Sequence, residues 1–156
     1  MELFVFHYCI YKTNKNKEFY GVPLTSSPSA ADTIYTHFNE TGLSPKDYDC
    51  IITGDLAVVG SDILIELLLK KNIDISHNHG DCGKMIFNRK TQNVNSGGSG
   101  CGCIASVFSG FFAKKIMSGE LKRVLLAGTG ALMSPSSVLV GEPISGITHA
   151  VAIEGV

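Results

Sequence analysis

The sequence has few charged residues and almost no net charge. Of its 156 residues, 13 are Lys or Arg and 14 are Asp or Glu, which gives a net charge of −1. A neutral chain has no overall electrostatic basis for binding nucleic acid. The charged fraction of 17% and the apolar fraction of 44% also exclude a disordered tail and predict one domain with a substantial buried core.

The sequence also lacks a long apolar run and the features of an export signal. Residues 3–11 are the longest apolar run, but His7 interrupts it, and it is shorter than the roughly 18 residues needed to span a bilayer. Glu2 precedes this run and lysines follow it, which reverses the charge order of a secretory signal. We therefore expect no transmembrane segment and no signal peptide in this chain.

The cysteines do not form the pattern of a disulfide scaffold. There are five of them, an odd number, and they are not evenly spaced through loops. Cys50 lies in an apolar run, where a buried thiol is common. The sequence therefore predicts a reducing compartment.

The spacing of apolar residues predicts alternating helices and strands, and therefore an α/β fold. Residues 1–27 differ in composition from the rest, and we expect a divergent N-terminal segment there, followed by one domain over 28–156. Ser29 and Ser61 are the expected N-caps of the first two helices. The predicted helices are 29–41, 61–72 and about 102–118. The predicted strands are 48–53, 123–128 and 147–154, with one more near 3–10. Residues 76–99 and 129–141 are predicted to be mostly turns and loops.

The run GGSGCGC at 97–103, which leads into the third helix, is the strongest local feature. Glycines before a helix expose backbone N–H groups to an anion, but they equally allow close packing of a tight turn. Both interpretations stay open. The run is not a P-loop, because no Gly-Lys-Ser/Thr follows. A partial match to the dinucleotide fingerprint is rejected, because no strand leads directly into it.

Other residues with reactive side chains have simpler explanations. Cys101 and Cys103 lie near the start of a helix, where a thiol can become a nucleophile, but small buried residues of a crowded loop explain them better. His77, His79, Asp81 and Cys82 do not have a usual zinc spacing, so a polar turn is favoured. The alternation of His149 with Ile147 and Val151 favours a core histidine, whereas Asp55 ends a strand, where α/β proteins often contact ligands.

Several segments together resemble the C-terminal half of the stage V sporulation protein AD family, over about residues 28–154. That family is thiolase-like, so the resemblance implies one half of a layered α/β/α fold with a mixed sheet and packed helices. The segments on which the resemblance rests are YDCIITGDLAVVGSDILIELL, DCGKMIF, GGSGCGCIASVFSGFF, LKRVLLAGTGALMSPSS and PISGITHAVAIE.

The resemblance implies binding of dipicolinic acid (pyridine-2,6-dicarboxylic acid) for its uptake into the developing spore. The implied partners are membrane proteins of the same sporulation system, and the implied location is the forespore or spore, peripheral to the inner spore membrane. Related condensing enzymes use a His and an Asn where this chain has Gly54-Asp55 and Gly100-Cys101. The resemblance therefore implies a non-catalytic protein with no catalytic residues, no metal and no cofactor.

Six residues at strand ends or in glycine loops are the candidate ligand contacts: Asp55, Ser99, Gly100, Cys101, Thr129 and Ser134. Two other functions stay open. The chain could be an acyl-transfer enzyme that uses Cys101 or Cys103, or a structural module that only associates with a spore-membrane complex.

The resemblance also implies that the first half of the thiolase-like fold is missing from this chain. A lone half exposes the apolar surface that normally packs on the other half. We therefore expect a truncated protein that self-associates or binds a separate first half.

Overall fold

The computed structural model describes residues 2–12, 22–98, 100–132, 134–140 and 145–155. The strands are β1 (Glu2–Lys12), β2 (Cys50–Thr53), β3 (His79–Asp81), β4 (Arg123–Leu132) and β5 (Ser145–Glu154). The helices are α1 (Val22–Thr41), α2 (Ala57–Leu69), α3 (Cys82–Met85), α4 (Cys103–Val107), α5 (Ala113–Met117) and α6 (Pro135–Leu139). A π-helical turn, Phe108–Phe112, joins α4 to α5, and a short 3-10 turn covers Pro45–Asp47.

The five strands form one mixed sheet in the order β1-β5-β4-β2-β3. β2 runs parallel to both β3 and β4. β5 runs antiparallel to both β4 and β1. The predicted α/β fold, with a mixed sheet and packed helices, is confirmed. The predicted boundary between 1–27 and 28–156 falls inside α1, and β1 belongs to the same sheet as the rest; that division stays a prediction.

Apolar layers cover both faces of the sheet, because successive strand residues point to opposite faces. Ile51 and Leu125 pack with Ile34 of α1 and Leu64 of α2 in one cluster. The neighbouring strand residues Ile52 and Val124 belong to a second cluster, with Val107, Phe112 and Ile116 of the α4–α5 region. Each fully buried Leu, Ile or Phe contributes about 1.5–3 kcal/mol, so these two layers hold the helices on the sheet.

Helix α1 begins before the predicted start, at Val22, and continues through Pro28. Ser29 is therefore not an N-cap, and that prediction is wrong. Its buried hydroxyl instead donates to Thr148 Oγ1 of β5 at 2.9 Å, so a tertiary contact fixes this part of the helix. The predicted end is correct: Gly42 follows with φ +69° and its N–H donates to Phe38 O.

Helix α2 also begins earlier than predicted, at Ala57, and ends at Leu69 instead of 72. Ser61 is inside the helix, where its hydroxyl donates to Ala57 O at 2.6 Å, so the prediction of Ser61 as N-cap is wrong. Ala57 has φ +57°, which costs energy for a residue with a side chain. The contacts that hold this strained start belong to the candidate site described below.

The loop predicted over 129–141 is partly regular, because β4 continues to Leu132 and α6 covers Pro135–Leu139. The polar segment 76–99 likewise contains β3 and α3. His149 is exposed, so its prediction as a core histidine is wrong. The expectation that it shares a face with Ile147 and Val151 is correct, but the fully buried residues Thr148 and Ala150 lie on the opposite face.

Candidate functional site

Three chain segments meet beyond the end of β2: the turn 54–57, the described residues 96–98 and 100–102 of the glycine loop, and the β4 residues 129–131. They enclose a cavity of about 450 Å³. Four candidate contacts named from the sequence line it, namely Asp55, Gly100, Cys101 and Thr129; the other lining residues are Ala57, Ser96, Gly97, Gly98, Gly130 and Ala131.

Of the two remaining candidates, the structure describes Ser134 alone. Ser134 does not line the cavity, and its hydroxyl lies 2.8 Å from the Ser136 hydroxyl at the start of α6. Ser99 lies outside the described residues.

Asp81 is the buried anchor of the site. It ends β3, and its carboxylate accepts hydrogen bonds from Thr53 Oγ1 at 2.7 Å, Leu56 N at 3.0 Å and Ala57 N at 2.8 Å. Burial raises the pKa of Asp81, although these three donors oppose the shift. The carboxylate therefore satisfies the first backbone N–H groups of α2 and holds the strained residue Ala57 in place.

Sequence reasoning missed this role of Asp81. It placed Asp81 among metal-capable side chains in a polar turn. In the described part of the chain, no group of three or more His, Cys, Asp or Glu side chains could hold a metal ion. The available signal was a single acid in a polar segment, which reveals neither that it ends a short strand nor that a distant helix start uses it.

Asp55 connects all three segments of the cavity. Its N–H donates to Thr129 Oγ1 of β4 at 3.2 Å. Its own Oδ2 accepts the N–H of Gly100 from the glycine loop at 2.5 Å. The anion that the glycine loop binds in this structure is therefore a carboxylate of the protein itself, and Asp55 fixes the loop over the cavity.

Close packing explains the glycines at 97 and 98. Gly98 N donates to Gly83 O of α3 at 3.0 Å. A Cβ at Gly97 would lie 2.4 Å from Gly83 O, and a Cβ at Gly83 would lie 2.4 Å from Asp55 Oδ1. Both φ angles in the loop are positive, +98° at Gly97 and +104° at Gly98. Any side chain at these positions would push the loop away from α3.

The cysteines around the cavity differ in their surroundings. Cys101 is exposed and lines the cavity, whereas Cys103 and Cys82 are buried in the second core cluster. Burial raises the pKa of Cys82 to about 12 and that of Cys50 to about 11. Among the described cysteines, Cys101 is therefore the one placed to meet a molecule in the cavity.

His79 extends the buried network of Asp81 through Thr53. The Thr53 hydroxyl uses its proton toward Asp81 at 2.7 Å, so the His79 Nε2 that lies 3.0 Å from Thr53 Oγ1 must be a donor. In the neutral imidazole, the proton is therefore on Nε2. Burial, assisted by the positive charge of Lys84, lowers the pKa of His79 to about 4.

This lowered pKa predicts a loss of stability in mild acid. Unfolded His79 takes up a proton near its ordinary pKa of about 6.5, while the folded state resists protonation down to about 4. The free energy of unfolding therefore falls as pH falls from about 7 to 5, on the order of 2 kcal/mol from this group. Urea unfolding at pH 7 and pH 5 measures it, and His79→Gln should remove that part of the fall.

The exposed residue His77 provides the control for this measurement. His77→Gln should leave the pH dependence as it is in the parent chain. Asp81, whose pKa is raised, acts in the opposite direction but is present in every variant compared. An equal fall with and without the His79 imidazole would contradict the assigned neutral state.

Comparison with known proteins identifies the family. The family model described as stage V sporulation protein AD matches residues 16–154. This chain belongs to that family. Stage V sporulation protein AD of Bacillus subtilis (strain 168) is 41% identical over 128 residues, which cover 82% of this chain. The chain spans 38% of the length of that curated relative.

One solved structure is similar to this sporulation-family chain in its backbone. It is the crystal structure of 3-oxoacyl-[acyl-carrier-protein] synthase III from Aquifex aeolicus VF5, which is 15% identical, with a TM-score of 0.43. The match covers 88% of this chain and 40% of that one. Among the described residues, no helix is both long enough and apolar enough to cross a membrane.

Proposed function

We propose that this chain binds dipicolinic acid in the cavity between the glycine loop and β4, and that it does so without catalysis. The observation that supports this most is the cavity itself. At about 450 Å³, it lies within the 300–1,000 Å³ of typical small-molecule sites. Four candidate contacts expected from the sequence line it, and the chain belongs to a sporulation family.

The polar groups at the cavity suggest how a flat dianion would lie. Asp55 would repel a ligand carboxylate, but Gly100 N already donates to it, so it serves to hold the loop. Thr129 Oγ1 accepts from Asp55 N, and that bond does not use the Thr129 hydroxyl proton. The ligand therefore lies with a carboxylate toward Thr129 and its ring against the bare backbone of the neighbouring glycines.

The cysteines support a binding role over acyl transfer. Cys103 is 2% exposed, so it is out of reach of an acyl donor. Cys101 is exposed, but within the described residues no histidine hydrogen bonds to it to serve as a base. A nucleophile needs such an activating partner, and we therefore propose no catalytic residue.

The proposed setting is the developing spore, with this chain peripheral to the inner spore membrane and working with membrane proteins of the same system. Exposed apolar side chains support association with a protein partner. Met117 is 82% exposed, Leu139 is 86% exposed and Phe111 is 44% exposed. We propose that a separate first half of the fold or a second copy of the chain covers such residues.

Alkylation of Cys101 tests whether the ligand enters this cavity. Iodoacetamide at neutral pH should label Cys101 before the buried Cys82 and Cys103, as followed by peptide mass spectrometry. Saturating dipicolinate should slow the labelling of Cys101 at least about fivefold, because a bound ligand covers an exposed lining residue. Benzoate at the same concentration is the control and should protect far less.

Labelling of Cys101 at the same rate with and without dipicolinate would contradict this placement. The mass of the same Cys101 peptide also tests the alternative function, acyl transfer. Incubation with an acyl-coenzyme A would transfer the acyl group to the Cys101 sulfur and release the free coenzyme thiol, if the chain were an acyl-transfer enzyme. We expect no such mass increase.

A further inference from the structure

A second cavity of about 260 Å³ adjoins the first along β4. The two cavities share Thr129, Gly130 and Ala131 as lining residues. The second cavity adds Gly128 on β4 and two residues of β5, Ile147 and His149. The space at the glycine loop therefore continues onto one face of the β4–β5 pair.

The strand register shows why this face is open. Gly128 pairs directly with His149, and Gly130 pairs with Ile147, and residues opposite each other in an antiparallel pair point to the same face. Of these two glycines, Gly128 is covered by α4, since a Cβ there would lie 3.8 Å from Ile104 Cδ1. A Cβ at Gly130 would meet no atom within 4 Å, so the position borders open space.

His149 provides an imidazole at this face. It is exposed, whereas its neighbours Thr148 and Ala150 are fully buried on the other face. Asp55 lines only the first cavity and His149 only the second. The Asp55 carboxylate repels an anionic ligand, whereas the imidazole N–H of His149 attracts one. In the groove that the two cavities form together, a ligand carboxylate is therefore favoured at the His149 end.

We propose that this face is a second part of the ligand site, where a flat aromatic dicarboxylate lies on Gly130 with one carboxylate on His149. This inference rests on the proposed function and adds to it a residue that sets specificity. A charge-assisted hydrogen bond to one carboxylate selects a dicarboxylate over the matching monocarboxylate. Pyridine-2-carboxylate (picolinate), which lacks one carboxylate of dipicolinate, is the probe for this selection.

Calorimetric titration of the full chain with dipicolinate and with picolinate tests the proposal. The parent chain should bind dipicolinate about tenfold more tightly or better, since 1.4 kcal/mol corresponds to a factor of ten. His149→Ala should reduce that preference to about threefold or less, and His149→Lys should restore most of it. His77→Ala, at an exposed histidine outside both cavities, is the matched control and should keep the preference.

A second variant tests the glycine surface independently. Gly130→Val adds a β-branched side chain to a strand, where it is well tolerated, and it meets no protein atom within 4 Å of its Cβ. The melting temperature should not fall, yet the affinity for both ligands should drop at least about tenfold, because the side chain fills the groove.

The outcomes separate the two proposals. Loss of the preference in His149→Ala, together with weak binding by a folded Gly130→Val chain, supports the second part of the site. A preference that survives His149→Ala, including an equal loss of affinity for both ligands, overturns the second part of the site while the proposed function stands. Unchanged affinity in Gly130→Val overturns the second part and also the placement of the ligand in the first cavity, because Gly130 lines both. If the parent chain binds neither ligand, the proposed function itself fails.

Discussion

Replacing Asp81 by alanine is expected to destabilise the chain by at least about 4 kcal/mol. The carboxylate accepts three hydrogen bonds, from Thr53, Leu56 and Ala57, and Asp81 is completely buried. Removing the shared acceptor leaves three buried donors unsatisfied, each costing about 1–3 kcal/mol. Because a domain of this kind is stable by only about 5–15 kcal/mol, the variant should unfold at much lower urea concentration.

An exposed aspartate on the helix that Asp81 anchors provides the control. Asp62→Ala removes a carboxylate from α2, where Asp62 is exposed, and should change stability by no more than about 0.5 kcal/mol. Urea unfolding followed by circular dichroism compares the two variants directly. A similar small loss in both would show that Asp81 is not the anchor of the β2–α2 turn.

The second large effect is expected for Gly97→Ala, at about 3 kcal/mol. The new Cβ would lie 2.4 Å from Gly83 O, and the backbone has φ +98°. Overpacking costs about 1–3 kcal/mol, and a side chain at positive φ adds about 1 kcal/mol. Since the clash is with backbone, the loop has to move away from α3, and the Asp55 to Gly100 contact should weaken with it.

Gly42 separates the two contributions. It also has a positive φ, +69°, but a Cβ there would meet nothing within 4 Å. Gly42→Ala should therefore cost about 1 kcal/mol from the backbone conformation alone. Thermal or urea unfolding of both variants gives the comparison, and equal losses would mean that the contact with Gly83 does not require glycine.

The spacing of apolar residues predicted which segments form helices better than it predicted where those helices begin. The apolar spacing that predicted helices near 29–41 and 61–72 is correct in type, because it reflects the faces of α1 and α2 that pack on the sheet. Both starts were wrong for the same reason. Ser29 and Ser61 have the side chains of N-caps, but tertiary contacts extend the helices past them, and a cap preference of about 1 kcal/mol cannot prevent that.

Those residues of the candidate site that lie at strand ends or in the glycine run were predictable from the sequence. Asp55 and Thr129 follow from their positions just after the predicted strands 48–53 and 123–128, and Gly100 and Cys101 follow from the glycine run. All four line the cavity. The roles within the site were not predictable. Whether Asp55 meets a ligand or the Gly100 N–H depends on how the loop folds back over it, which no local pattern encodes.

His149 shows a different limit of sequence reasoning. Alternation along β5 correctly indicated that His149, Ile147 and Val151 share a face, but it could not show how far the covering helix extends. Val151 and Ile153 pack with residues of α4 and the adjoining π-helical turn, whereas His149 lies beside Gly128 and borders a cavity. Gly128, the residue opposite His149, has no side chain to cover the imidazole.

We propose that the groove along β4 binds dipicolinate, and calorimetric titration of the folded parent chain is the direct test of this claim. A cooperative thermal melt first establishes that the sample is folded. We expect saturable binding of one dipicolinate per chain, which the Gly130→Val chain loses while it stays folded. Heats of dilution alone, from a parent chain that melts cooperatively, would contradict the claim.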